Sequence, residues 1–291
     1  MNIKKSIITS TSSILSVVSY KNLCRFMYFL AYKRLPNLKK PKLMSEKIMW
    51  SAINQYKCDP LVAKCADKVS VRDYIEEKGY AFILNTIYGV WDNANRIDWD
   101  HLPSKFVLKC NHASGFNIIC TDKSKLNIQE TEKKLNKWLA TDYWKQSGEI
   151  FYKNIPKRII CEKFIETSDG KPPKDYKFFC SHGKVKFLFV AMDRVNNETK
   201  FNFFTPEWVP IPVTDIAHPP YKGDIPKPKE LEEMIRIAED LSKPWGQVRV
   251  DFYCESDQIV FGELTFMHHG GKPQFSPQKY DKIFGDLFDV Q

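Results

Sequence analysis

The chain has 291 residues, enough for one large domain or for two or three packed lobes. Hydrophobic residues at 43% and aromatics at 14% supply a substantial core, which excludes disorder over most of the length. Forty-four Lys and Arg against 35 Asp and Glu give a net charge of +9, which favours anionic partners. There is no long basic block, RNA-binding aromatic motif or zinc-finger spacing, so nucleic acid is not the expected partner.

Residues 1–80 read as a helical N-terminal region. In its first 31 residues, Lys21 and Arg25 interrupt the apolar runs before any reaches the ~18 residues of a spanning helix. A helix lying on the rest of the protein is one reading. The other is a peripheral membrane contact with Lys4, Lys5, Lys21, Arg25 and Lys33 toward lipid headgroups. Asp67 to Lys78 forms a short helix that Gly79 stops. The eight cysteines are scattered without a Cys-x-x-Cys pair, several in apolar runs, and read as free thiols in a reducing cytosol. The expected localisation is cytoplasmic, with the inner face of the membrane as the place of any contact.

Residues 81–165 read as strand, helix, strand. Phe106 to Cys110 is a strand, Asn111 to Gly115 a turn, and Phe116 to Cys120 the return. Asn127 caps a helix with Glu130 three residues on, and Arg158 to Ile165 is another strand. Residues 166–291 open with a hairpin, Tyr176 to Cys180 and Val185 to Met192. A Pro-rich connection, 206–228, leads to a helix with apolar positions Leu231, Met234, Ile235, Ala238 and Leu241. A hairpin over 248–266, a Gly270-Gly271 loop and a terminal helix follow. The fold class is α+β.

The last hairpin carries the sharpest chemical signal. Arg249, Asp251 and Tyr253 share one face of its first arm; Phe261, Glu263 and Thr265 share one face of its second. A turn centred on Asp257 sets Asp251 across from Glu263, with Cβ atoms about 4.5–5.5 Å apart. Two carboxylates at that distance call for a cation or a shared proton, and a hard ion such as Mg²⁺ suits an all-oxygen site.

Lys109 is a base in an apolar strand, followed by small residues whose backbone N–H groups can approach phosphate. An ordinary hairpin turn explains that segment equally well. Glu162 and Lys163 end a strand, and Asp175, Lys177, Asp193 and Arg194 stand near the ends of later ones, either in solvent or in a cleft. His268 and His269 are adjacent, and neighbours on a strand point to opposite sides, so no zinc site is expected there.

These pieces occur in the order of an ATP-grasp enzyme, and from about Met44 onward the chain resembles the TupA-like ATP-grasp family. The resemblance rests on Asp67-Lys68-x-x-x-Arg72-x-Tyr74-Ile75, Phe106 to Gly115, Ile160 to Ile165, Asp175 to Phe179, Val248 to Tyr253 and Phe261 to Phe266. It implies an ATP-grasp fold whose small lobe (81–165) and large lobe (166–291) clasp ATP. Lys68 and Lys109 would meet phosphates, with the turn containing Asn111, His112, Ser114 and Gly115 over them. Glu162, Lys163 and Ile165 would line the adenine pocket, Asp175 would stand near the ribose, and Arg194 would add a phosphate contact. Arg249 would meet the reacting oxyanion, and Asp251 with Glu263 would hold magnesium.

Two departures stand out. Thr265 occupies a position where many ATP-grasp ligases place Asn; its hydroxyl is still a hard oxygen ligand. Met267 to Gly271 replaces a Pro-Gly-type turn on the acceptor side. The implied chemistry is ligation of a carboxylate to an amine through an acyl phosphate. Because the family is associated with cell-surface polysaccharide synthesis, the expected partners are a uronic-acid carboxylate on a glycan precursor, as in capsule synthesis, and an amine or amino acid. The competing reading is a glycosyltransferase of the same pathway, through Asp98-Trp99-Asp100.

Overall fold

The computed structural model describes residues 11–12, 14–195 and 198–290, with the side chains of 193–195 and 198 outside the description. Helix α1 (Tyr20–Tyr32) opens where the Ser19 hydroxyl accepts the Asn22 N–H and buries Leu23, Cys24, Met27 and Tyr28 at helical spacing. Helix α2 (Met44–Asn54) docks on the far C-terminal end of the chain. There the Ser45 N–H and hydroxyl both donate to Asp281, at 2.9 and 2.7 Å. Helix α3 (Pro60–Ala66) has Asp59 as its cap and Pro60 in its first turn, where a missing N–H costs nothing.

Helix α4 (Val71–Glu77) is shorter than the expected 67–78. The reason is Asp67, whose carboxylate accepts the Val69 N–H and the Ser70 hydroxyl and so holds a turn ahead of the helix. Gly79, at φ +83°, ends it as expected. Among the described residues no helix is long and apolar enough to cross a membrane.

A four-stranded antiparallel sheet follows, with order β1-β4-β2-β3. Its strands are β1 (Ile87–Trp91), β2 (Phe106–Cys110), β3 (Asn117–Cys120) and β4 (Ile159–Lys163). Alternation in β2 buries Phe106, Leu108 and Cys110 on one face and leaves Val107 and Lys109 on the other. Helix α5 (Ile128–Leu139) begins at Asn127, which accepts the Glu130 N–H, and Leu135 joins the small core under this sheet. The short α6 (Tyr143–Ser147) and a 3₁₀ turn (Ile150–Asn154) lead back into β4.

A second, six-stranded sheet has the order β11-β10-β5-β6-β7-β8. It contains β5 (Asp175–Ser181), β6 (Lys184–Val195), β7 (Glu198–Phe204), β8 (Pro210–Ile211), β10 (Val248–Glu255) and β11 (Gln258–Thr265). Strand β7 is not among the sequence expectations, although Phe201 and Phe203 alternate with Lys200 and Asn202. The Pro-rich stretch contributes β8 and β9 (Thr214–Asp215), and β9 pairs with β12 (Phe275–Ser276). Helix α7 (Leu231–Ser242) packs Leu231, Met234, Ile237, Ala238 and Leu241 into the core, with contacts to β5, β6 and β10. Ile237, rather than the expected Ile235, fills the central position, and Ile235 lies at the margin. Helix α8 (Lys279–Asp286) closes against α2, so the large core joins α1, α2 and α8 to the six-stranded sheet.

Candidate active site

Strands β10 and β11 build the centre of the site. Their register pairs Arg249 with Thr265 and Asp251 with Glu263. The expected pairing is present, but the hairpin reaches it by another route. The turn is a two-residue one, Ser256 and Asp257 both at positive φ, joining the pair Glu255 and Gln258. That turn alone would place Glu263 beside Val250, on the core face. A register shift at Gly262 inserts one residue and returns Glu263 to Asp251. Phe261, on the turn side of the bulge, keeps the turn's own register opposite Phe252 and lies in the core, correcting its expected place on the carboxylate face.

Strand β5 completes the row, with Lys177 directly beside Asp251 on the other side. Lys177 bridges Asp251 and Asp175, the latter at 2.7 Å. Arg249 donates to both oxygens of Asp251 at 2.6 Å, to Glu263 at 3.2 Å and to the Thr265 hydroxyl at 2.9 Å. Burial works against the charge on Arg249, yet Asp251 and Glu263 hold its pKa above the ordinary value. Burial pushes the Asp251 carboxyl up, against the pull of Arg249 and Lys177. Burial also opposes the charge on Glu263, but there Lys68 and Arg249 prevail and lower its pKa.

The four-stranded sheet supplies the opposing cations. Lys109 donates to Glu162 at 2.6 Å, a diagonal neighbour on the same face, and stays charged despite burial because of that carboxylate. Lys68 donates to the Ala113 carbonyl at 2.7 Å and stands 3.9 Å from Glu263. Between these groups lies a cavity of about 580 Å³, lined by Lys68, Lys109, Ser114, Gly115, Asp175, Lys177, Arg249, Asp251, Glu263 and Thr265 among others.

Several expected ligand contacts are placed elsewhere. Asn111 is buried and acts as a strut: its amide donates to Asp67 and the Pro156 carbonyl, and its oxygen accepts the Arg158 N–H at 2.7 Å. The His112 ring is buried edge-on to Phe116, held neutral by burial, and does not line the cavity. Lys163 and Ile165 line a separate cavity of about 750 Å³ with Phe82, Glu255 and Val260. Glu162 lines neither cavity and reaches the first through its bond to Lys109. The side chain of Arg194 lies outside the described residues. Asp98 and Asp100 sit on a turn away from both cavities, where Asp98 pairs with His101 at 2.7 Å.

At the other end of the 580 Å³ cavity only the Met267–Gly271 loop was anticipated, as the acceptor side. Tyr143, Ser147, Glu149 and Tyr152 come from the α6 region, and His268, His269, Gly270 and Lys272 from the loop after β11. Burial raises the Glu149 carboxyl to about 7 and lowers Lys272. The expectation that adjacent histidines diverge fails, because His268 and His269 lie on a 3₁₀ turn, not a strand. His269, at φ 50°, brings its ring to within 4.1 Å of the His268 ring. The pattern carrying this information, a polar loop directly after the carboxylate strand, was visible; its partners from residues 143–152 were not.

No curated protein matches the sequence. Among solved structures, the ADP complex of PurK, N5-carboxyaminoimidazole ribonucleotide synthetase, is similar at 14% identity and a TM-score of 0.45 over 70% of this chain and 45% of that one. D-alanine–D-alanine ligase from Bacillus anthracis complexed with ATP is similar at 15% identity and 0.44, over 71% and 57%. The chain thus spans about half the length of these structures. The TupA-like ATPgrasp family model matches residues 46–289, nearly the whole described fold. The chain belongs to the TupA-like ATP-grasp family.

Proposed function

We propose that this protein is an ATP- and Mg²⁺-dependent carboxylate–amine ligase. The observation that carries the reading is the row Lys177–Asp251–Glu263, facing Lys68 and Lys109 across one cavity. Residues 81–165 act as the small lobe and 166–291 as the large lobe. The residues present suit a hard divalent ion: Asp251 and Glu263 offer oxygens from opposed strands, and Thr265 a hydroxyl 3.0 Å from Glu263. When bound there, the ion would draw off negative charge at the phosphates.

Lys68, Lys109 and the Ser114–Gly115 turn bind and orient the triphosphate; Lys163 and Ile165 reach the adenine if the lobes draw the two cavities together. Arg249 stabilises charge on the transferring phosphoryl group, so a substrate carboxylate can attack the γ-phosphate and become an acyl phosphate. An amine then displaces phosphate to give the amide. For substrates we take a uronic-acid carboxylate on a cell-surface glycan precursor and an amino compound, in line with the family and with the net charge of +9. We take the protein to work in the cytoplasm at the inner membrane face; the exposed Ile14, Val17 and Val18 beside Lys21 and Arg25 support that reading.

Thermal-shift and turnover assays with ATP, ADP and UDP-sugars, each with and without Mg²⁺, test the reading. Stabilisation by Mg–ATP and ADP release on adding a uronic acid and an amine are expected. Stabilisation by a UDP-sugar but not by Mg–ATP would return the glycosyltransferase reading.

A further inference from the structure

The proposed reaction leaves unused a cluster at the acceptor end of the cavity, Asp215, His268 and His269. Their donor atoms lie within 4.8 Å of one another, a spacing that a metal ion could span. Tautomers argue for another use. A guanidinium only donates, so the 2.7 Å bond from Arg249 makes His268 Nδ1 an acceptor and puts the ring proton on Nε2. His268 therefore has no lone pair to offer a metal. Its Nε2–H is a buried donor without an acceptor among the described residues, which points to a ligand atom beside it.

His269 has the opposite arrangement. Its Nε2 stands 3.0 Å from Asp215 Oδ2, and a carboxylate only accepts, so the proton is on Nε2 and Nδ1 keeps its lone pair. Asp215 is 1% exposed, and its other oxygen accepts the Ala217 N–H at 2.9 Å, so it holds the ring firmly. The ring also stacks on His218 and Phe201. Its backbone is in the left-handed region, which costs about 1 kcal/mol or more for a residue with a Cβ and persists only where the surrounding structure fixes it. The side chain lines the same cavity as Arg249 and Glu263.

We infer that His269, oriented by Asp215, is the general base that takes the proton from the ammonium of the amine substrate. This rests on the ligase reading. The ammonium gives one proton to Nδ1, forming an imidazolium paired with Asp215. The freed nitrogen lone pair forms the C–N bond at the acyl-phosphate carbonyl. The bond from that carbon to the phosphate oxygen breaks, its electron pair leaving with phosphate. Phosphate takes the second proton from nitrogen, and the third stays on the amide. Asp215 is a positioning residue in this scheme.

The test uses the full chain with ATP, Mg²⁺ and glucuronate, galacturonate or their UDP-linked forms. Two nucleophiles are compared: hydroxylamine, largely unprotonated at neutral pH and needing no base, and ethanolamine, which arrives as an ammonium. His269→Gln and His269→Asn should lower amide formation about 100-fold while hydroxamate formation falls no more than about 3-fold. Asp215→Asn should show the same split at about 10-fold, since the ring loses its tautomer but not its place. An equal loss of both products in both His269 variants would overturn the inference and leave the ligase reading standing. So would the same split appearing in Glu149→Gln and not in the His269 variants. If the wild-type protein releases no ADP with any of these acids, the ligase reading falls and the inference with it.

Discussion

Asp251 and Glu263 face each other across β10 and β11 only because one bulge interrupts a regular hairpin. The tight Ser256–Asp257 turn alone would set Glu263 beside Val250, and the bulge at Gly262 shifts it by one residue to Asp251. The candidate metal site therefore depends on a residue that contributes no ligand atom. A Cβ at Gly262 would stand 3.1 Å from the Asp251 carbonyl oxygen and 3.3 Å from its Cβ. Gly262→Val should push the strands apart, weaken Mg–ATP binding about 10-fold and cost about 1–2 kcal/mol of stability. Calorimetric titration and urea melts measure both; undiminished affinity would show that the bulge does not set the spacing.

Asp251 and Glu263 differ in what surrounds them, so their amides should differ in stability. Asp251 is 1% exposed and neutralises Arg249 and Lys177. Asp251→Asn takes the shared counter-charge from two buried cations, leaving Lys177 only Asp175 and Arg249 only the more exposed Glu263, and should destabilise the nucleotide-free protein by about 3 kcal/mol. Glu263 is a third exposed, and Glu263→Gln should cost under about 1 kcal/mol. Both should abolish ATP-dependent phosphate release. Equal melting temperatures for the two variants would contradict the charge arrangement, and retained turnover in either would remove the metal assignment.

The cations standing against these carboxylates predict how the ion enters. Lys177 and Arg249 already occupy Asp251, and Lys68 approaches Glu263. Free Mg²⁺ must displace them, whereas Mg–ATP brings phosphates that the lysines and arginine can follow. Mg²⁺ alone should therefore shift the melting temperature by less than about 1 °C, and Mg–ATP by several degrees, following the mass-action dependence on ligand concentration. A large shift with Mg²⁺ alone would mean that the cations do not compete for the site.

Where a strand and its faces were legible, as in β10, alternation is short-ranged: it sets Arg249 and Asp251 on one side of the strand from their near neighbours alone. The Asp251–Glu263 pairing was legible for a partly accidental reason, since a turn centred on Asp257 gives the same partners as the actual turn and bulge together. Phe261 exposes the difference. What the sequence could not convey was non-local. Glu149 reaches the cavity only through the packing of the α6 region, and Asp215 meets His269 across 54 residues through the small β9–β12 sheet. Asn111 was expected over the phosphates through the family resemblance alone. Its side chain instead makes three hydrogen bonds beneath the loop.

That environment gives Asn111 a distinct signature. Asn111→Ala leaves the Asp67 carboxylate, the Pro156 carbonyl and the Arg158 N–H short of a buried partner. A loss of about 2–3 kcal/mol is expected. The Ser114–Gly115 turn above it loosens, so KM for ATP should rise while kcat, once saturated, changes little. A direct phosphate contact made in the transition state would instead lower kcat, and steady-state kinetics separate the two.

Glu149 provides a pH test. Its carboxyl is 6% exposed and burial raises its pKa to about 7, with Lys272 too weakly placed to restore the ordinary value. The native state therefore binds a proton that the unfolded chain, titrating near 4.5, has released. Stability from this group is complete below that lower value and is lost as pH rises toward 7, by about 3 kcal/mol in all. Gln mimics the protonated form at every pH. Glu149→Gln should thus melt with the wild type at pH 4.5 and several degrees above it at pH 8, with the gap opening across that interval. A constant gap between the two melting curves would show that Glu149 titrates as an ordinary glutamate, and a gap that closes with rising pH would reverse the sign of its burial effect.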